Sequence, residues 1–268
     1  MGETTAPARA GRRRWRWALG TAAAVVLLGL AVAVALVLWP RSPTAITEEE
    51  AIERFHQSTV PGRTGTGPTA GVYTYDADGT EMIDMGPLPL PTRDIPATVT
   101  VAVRPDGACW DLDLNLMVEH TESTRLCVDA DGRLSLPSQT KAEKVPGFSV
   151  GIRNHCDPAV VLDPEATELP IACHETFDVS GLGLAVDFTG TATASPGGTV
   201  TVGGEPVETV HLRLELTGTG DLSGHWIEEW WLDADDLPVR MVRDIDLDGP
   251  GHFVERSTLT VRDLRPRA

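Results

Sequence analysis

The chain is short of positive charge. Lys and Arg number 22 among 268 residues, against 39 Asp and Glu, and the formal charge is −17. A nucleic-acid-binding chain needs a basic stripe to neutralise phosphates, so this balance argues against nucleic acid as a partner. Catalytic signatures are missing as well. There is no G-x-S-x-G elbow, no H-E-x-x-H, no P-loop, and no G-x-G-x-x-G opening a helix. His174-Glu175-Thr176-Phe177-Asp178 lacks the second His of a zinc-protease helix. No catalytic residue and no cofactor is therefore expected. No Cys precedes Cys109, so there is no acceptor for a lipoprotein anchor, and no C-x-x-C occurs. Disorder of the whole chain is excluded too: 41% hydrophobic and 23% charged residues are ordinary globular values.

What is present is unevenly distributed. Residues 1–17 are a basic N-terminus with Arg9, Arg12, Arg13, Arg14 and Arg16. Residues 1–40 sum to +4, which leaves −21 for the rest. Residues 18–39 are an uncharged run of Ala, Val and Leu, with Trp15 and Trp17 before it and Trp39 at its end. As a helix this run is roughly 33 Å long and matches a bilayer core of roughly 30 Å. Indoles at both ends suit the two lipid–water interfaces. The run exceeds the apolar stretch of a cleaved signal peptide, and Pro40-Arg41-Ser42-Pro43 is a poor cleavage context. The expectation is an uncleaved signal anchor that makes the lipid bilayer a partner through residues 18–39. The Arg bias places the N-terminus in the cytoplasm and the remainder outside the plasma membrane, as a single-pass protein.

All four cysteines lie on that outer side. Cys109, Cys127, Cys156 and Cys173 allow three pairings, and sequence order favours Cys109–Cys127 and Cys156–Cys173. Zinc is the rival reading, prompted by His155-Cys156 and Cys173-His174, but adjacent strand residues point to opposite faces.

The outer segment reads as mainly β. Within 40–70, Thr47 and Glu50 fit a capping box that starts one short helix, a stalk or lid ending near Gln57, followed by a Thr/Gly/Pro linker. The β domain spans 71–268. Val72 to Tyr75 reads as a strand that turns at Asp76-Ala77-Asp78-Gly79, and Thr98 to Val103 as a second. Trp110, Leu112, Leu114 and Leu116 alternate with polar residues, and Thr124 to Val128 pairs back. The Pro-rich stretch from Pro137 to Pro170 reads as irregular. Six strands follow at about 172–179, 184–194, 206–217, 224–233, 238–247 and 252–263. No helical period interrupts them, so the expectation is a strongly curved antiparallel sheet, or a sheet partly closed as a barrel.

Trp226-Ile227-Glu228-Glu229-Trp230-Trp231-Leu232-Asp233, a turn at 234–236 and Leu237-Pro238-Val239-Arg240 form a distinctive stretch. This W-L-D-x-x-x-L-P-V-R run resembles the tryptophan strand, turn and LPVR strand of the LolA-like lipoprotein-carrier superfamily, with Asp236 where a Gly is common. The whole outer segment also resembles uncharacterised actinobacterial proteins with one N-terminal anchor and four cysteines. The superfamily resemblance implies a half-open antiparallel barrel, partly closed by helices, that holds an acyl chain or another apolar ligand.

Three groups of residues are candidates for chemistry. Trp226, Trp230 and Trp110 are candidates for lining an apolar ligand cavity; packing in the sheet core is the plainer reading. Asp244, Asp246, Asp248 and Glu255 satisfy the spacing of a calcium loop, yet the flanks are strand-like. They read instead as a hairpin turned at Asp248-Gly249-Pro250-Gly251 with its aspartates in solvent, which leaves at most a weak surface calcium site. His120, with Glu119 and Glu122 nearby, has the groups of a general base, and His211 and His225 lie on neighbouring strands; each reads as a surface or half-buried sheet residue. The sequence therefore points to a membrane-anchored extracytoplasmic interaction or envelope protein. Its alternative is an apolar-ligand or lipid-binding module. A cavity of several hundred Å³ favours the second reading, and a filled interior favours the first.

Overall fold

A computed structural model describes residues 43–58, 65, 67–84, 92–145, 148–179 and 181–268. The basic N-terminus and the proposed membrane helix at 18–39 lie outside the described residues, as does most of the linker at 59–66. Among the described residues no helix is long and apolar enough to cross a membrane.

The short helix forms where its cap predicts. In α1 (Glu48–Ser58) the Glu50 amide donates to Thr47 Oγ1 at 3.2 Å. Three glutamates fill its first turn, which suits the positive end of the helix dipole. Ala51 and Phe55 face inward and join Ile46, Val72 and Ala102 in a small satellite core. Both Val72 and Ala102 point away from the main core, so α1 lies on the outer wall of the sheet and does not cap it.

Fourteen strands follow: β1 (Gly71–Asp84), β2 (Arg93–Asp94), β3 (Thr98–Asp106), β4 (Cys109–Met117), β5 (His120–Val128), β6 (Leu134–Val145) and β7 (Phe148–Cys156); then β8 (Val160–Leu162), β9 (Glu168–Val179), β10 (Leu182–Val202), β11 (Glu205–Gly220), β12 (Ser223–Leu232), β13 (Pro238–Asp248) and β14 (His252–Val261). Apart from the short β2 and β8, each strand pairs antiparallel with its neighbour in sequence. The last strand then pairs with the first, in register from Tyr75↔Val261 to Asp84↔His252. The result is a closed twelve-strand up-and-down barrel. The expected half-open sheet is corrected on this point. Closure leaves no unpaired edge among the twelve, which removes the usual liability of a sheet this large.

Two local readings are also corrected. The Asp76–Gly79 turn is absent, because β1 runs through it: Gly79 takes φ 153° opposite Ser257 in the closing seam. A Cβ there would lie 2.3 Å from the Arg256 carbonyl oxygen. The Pro137–Pro170 stretch is not irregular either. It contains most of β6, all of β7 and β8, and the start of β9. Its period-2 pattern is hidden because the inward residues Gln139, Lys141, Glu143 and Asn154 are polar. The turn before Leu237 fits its sequence differently: Asp236 adopts φ 63°, a left-handed conformation that Asp tolerates better than most residues.

Both disulfides form as sequence order suggests. Cys109–Cys127 joins β4 to β5 and Cys156–Cys173 joins β7 to β9, each between directly opposed residues. Alternation fills the lumen with every second side chain, from Tyr73, Tyr75 and Trp110 to Phe188, Leu212 and Val239.

The closing seam gives a direct test. Gly79→Val puts a branched side chain against the β14 backbone in a conformation it resists. Urea unfolding should show a loss of about 1–3 kcal/mol. A midpoint equal to wild type would mean that the β1–β14 pairing is not formed in solution.

Candidate functional site

The centre of the barrel is ionic. Alternation on β12 puts Glu228 on the same face as Trp226 and Trp230, and both indole N–H groups donate to its carboxylate, at 3.1 and 3.0 Å. Beside it, β13 carries Val239, Met241, Arg243, Ile245 and Leu247 inward, so one guanidinium stands in an apolar row. Arg243 reaches Glu228 at 2.8 Å, Glu255 on β14 at 3.0 Å, and Glu122 on the opposite wall at 2.8 Å. Lys141 on β6 lies 3.4 Å from Glu122, with its ammonium 4.9 Å from the centroid of the Trp226 ring. The notional aromatic ligand pocket is therefore occupied by the protein's own charges. Trp110, fully buried, packs in the core near Gly67.

His120 is the second focus. It is fully buried, which corrects the expectation of a surface or half-buried residue. Its Nδ1 contacts Glu81 Oε2 on β1, and its Nε2 lies 2.8 Å from Glu122 Oε1. Arg93 on β2 holds the other oxygen of Glu81. Glu119, its expected companion, instead accepts the Thr44 amide with Oε2. His211 and His225 stay on the outer face: His211 pairs with Glu229 at 2.7 Å and stacks on Trp231, and His225 sits 3.6 Å from Asp244.

The field inside this cluster moves its pKa values. Burial alone would lower that of His120, but the charges of Glu81 and Glu143 and two hydrogen bonds raise it well above the ordinary histidine value. Burial would raise Glu122, yet Arg243 and Lys141 hold it well below the usual carboxylate range. Glu143 goes the other way. Burial and the charge of Glu81 push it up to about 8. Burial likewise pushes Glu175 up to about 7. Neither Glu143 oxygen, and only one Glu255 oxygen, has a hydrogen-bond partner.

Next to this cluster the barrel end is apolar. Ile83, Val150, Phe177, Val179, Leu222 and Phe253 line a narrow mouth with a cavity volume of about 30 Å³, and Glu143 is the one carboxyl in its wall. Ile83 and Phe253 are paired residues, one inward step beyond the paired Glu81 and Glu255. The mouth thus adjoins the carboxylate–imidazole group.

The four residues of the calcium-spaced stretch do not converge. β13 ends at Asp248 and β14 begins at His252, so the hairpin forms where its turn predicts. Glu255 points into the lumen, whereas Asp244, Asp246 and Asp248 are on the outer face. There Asp244 pairs with Arg256 and Asp246 with His252.

Compared with protein-family models, curated proteins and solved structures, the chain matches none.

Two measurements probe the cluster. Arg243→Met removes the cation shared by three buried carboxylates and should cost about 3–5 kcal/mol in urea unfolding. Glu175 tests protonation. The folded chain keeps its proton up to about pH 7, whereas the unfolded carboxyl loses it near 4.5. Between those values the folded state binds more protons, so this contribution to stability falls as pH rises. Glu175→Gln abolishes that titration. Its stability relative to wild type should therefore increase from about pH 5 to about pH 7, by at most about 1.4 kcal/mol per pH unit. Parallel pH profiles would show that Glu175 is ionised in the fold.

Proposed function

We propose that the chain is a membrane-anchored extracytoplasmic domain that works by docking a basic protein partner on its polar outer wall. The observation that carries this reading is a lumen occupied by the protein's own aromatic and charged side chains. The cavity at the mouth measures about 30 Å³, whereas ligand pockets span about 300–1,000 Å³. A whole acyl chain has no room in this mouth, so the LolA-like carrier role has the weaker support, and a lipid partner there is at most a chain end entering over Glu143. Two disulfides support an oxidising compartment. The Arg-flanked apolar run at 18–39 supports anchorage in the plasma membrane with the barrel outside.

The outer wall suits a basic partner. Among the described residues Val210 is the one exposed large hydrophobic, so recognition there is polar. Most outward arginines are already committed: Arg104 to Asp113, Arg125 to Asp106, Arg213 to Glu229 and Arg262 to Asp76. The uncompensated charge on this surface is therefore acidic. A shallow groove of about 550 Å³ crosses β1, β13 and β14, with Asp78 and Asp94 among its walls and Asp244 paired there with Arg256.

A photo-crosslinker at Thr80, in cells making the full-length chain, tests this docking. Crosslinking to a basic extracytoplasmic protein should weaken with salt and fall roughly tenfold in Asp78→Lys/Asp94→Lys. Adducts indifferent to that charge reversal would overturn the reading. So would saturable uptake of a fluorescent fatty acid by the delipidated chain, which would restore the carrier role.

A further inference from the structure

We propose that Glu81, His120 and Glu255 form a binding site for one divalent transition-metal ion, best suited to Zn²⁺, inside the barrel beside the apolar mouth. One potential ligand atom from each residue lies within 4.8 Å of the others, and all three residues are buried. An imidazole and two carboxylates are a nitrogen–oxygen set that Zn²⁺ accepts, with a position left for water or another ligand. Thiolates do not compete, since both cysteine pairs are oxidised.

Each of the three is held from outside and turns one atom to the centre; Glu81 Oε2 and His120 Nδ1 are hydrogen-bonded to each other there and exchange that bond for the ion, whereas Glu255 Oε2 has no bond to give up. Glu81 is gripped at Oε1 by Arg93, while its Oε2 faces His120. Glu255 is gripped at Oε1 by Arg243 at 3.0 Å and Ser257 at 3.1 Å. Its Oε2, fully buried, has no hydrogen-bond partner. His120 turns Nδ1 toward Glu81 and has Nε2 at 2.8 Å from the Glu122 carboxylate. That is the second-layer arrangement of metal-binding histidines, in which the remote N–H donates to a carboxylate. An orphaned buried oxygen is costly in an ordinary core, and a cation beside Glu255 Oε2 removes that cost.

Charge points the same way. Among the described residues six carboxylates enter the lumen: Glu81, Glu122, Glu143, Glu175, Glu228 and Glu255. The permanent cations that meet them are three, Arg93, Lys141 and Arg243. With protons on Glu143 and Glu175, four carboxylates face these three cations, and one further positive charge, from an ion or from a protonated His120, balances them. The same arginines oppose an ion in the site, but they grip the outer oxygens, so the repulsion acts across the carboxylates. The adjoining mouth offers a short approach.

The test uses the purified full-length chain, stripped with chelator and titrated with Zn²⁺ by calorimetry. One ion per chain is expected. Co²⁺ in its place should give the visible absorption of a nitrogen–oxygen site. His120→Asn and Glu255→Gln should abolish both signals, and Glu122→Gln should weaken binding about 10- to 100-fold while the ligands stay in place. Glu175→Gln, within the same lumen, and Asp246→Asn, on the outer wall, should bind as wild type. Should His120→Asn or Glu255→Gln fail to fold, wild-type stoichiometry, the Co²⁺ spectrum and the Glu122→Gln shift still decide the matter. Absence of Zn²⁺ binding by the folded wild-type chain would overturn the site. Binding lost with Asp246→Asn but kept in His120→Asn would overturn it in favour of the outer aspartates.

Discussion

Arg243 is the tie on which the interior depends. From β13 it holds Glu228 on one neighbouring strand and Glu255 on the other, and it crosses the lumen to Glu122 on β5. A closed sheet of twelve strands encloses more space than a single layer of aliphatic side chains fills, and the excess must be occupied or hydrated. Here long charged side chains span it. Each buried charge would be costly alone, and together they are tolerable because nearly every one has a partner on a different strand. The network therefore ties opposite walls together, which apolar contact alone does without directional preference.

The ionic layer also occupies space that a guest in the barrel would need. Trp226 and Trp230 are large enough to shape a ligand cavity, yet both indole N–H groups are spent on Glu228. A lumen organised this way resists emptying, because expelling one charge leaves its partners unsatisfied. At the apolar end the mouth leaves about 30 Å³, and Glu143 is the one carboxyl of its wall. The two chemically distinct zones, an apolar mouth and a charged floor, follow from which inward positions are aliphatic on each strand.

Most of the fold was legible in the sequence. The last six strands, the capped helix, the β13–β14 hairpin and the two disulfide pairs follow from alternation, turn residues and order. Closure was not legible, since the β1–β14 seam joins segments nearly 180 residues apart through backbone bonds that carry no side-chain signature. Polar inward residues hid β6 and β7 for a related reason, because a strand that turns Gln139, Lys141 and Glu143 inward does not read as amphipathic. The site itself left a faint mark. Arg243 between Met241 and Ile245, Glu228 between two tryptophans, and Glu122 two residues from His120 are charges at positions whose parity is otherwise inward. A charge out of phase with its strand's solvent face is evidence of a buried network, and it is more specific than the presence of a histidine beside acids.

Parity separates the two halves of the acidic excess. Outside, surplus Asp and Glu are hydrated, so their repulsion is screened and serves solubility. Inside, the same excess has no water to screen it, and each missing positive charge must be supplied by a proton or by an ion. Burial and like charge favour protons on Glu143 and Glu175. Glu255 differs, because Arg243 and Ser257 already engage its Oε1 while Oε2 stays bare. A cation needs only the oxygen, with Glu81 and His120 within reach, so the bare Oε2 is the feature of this core that favours a metal ion.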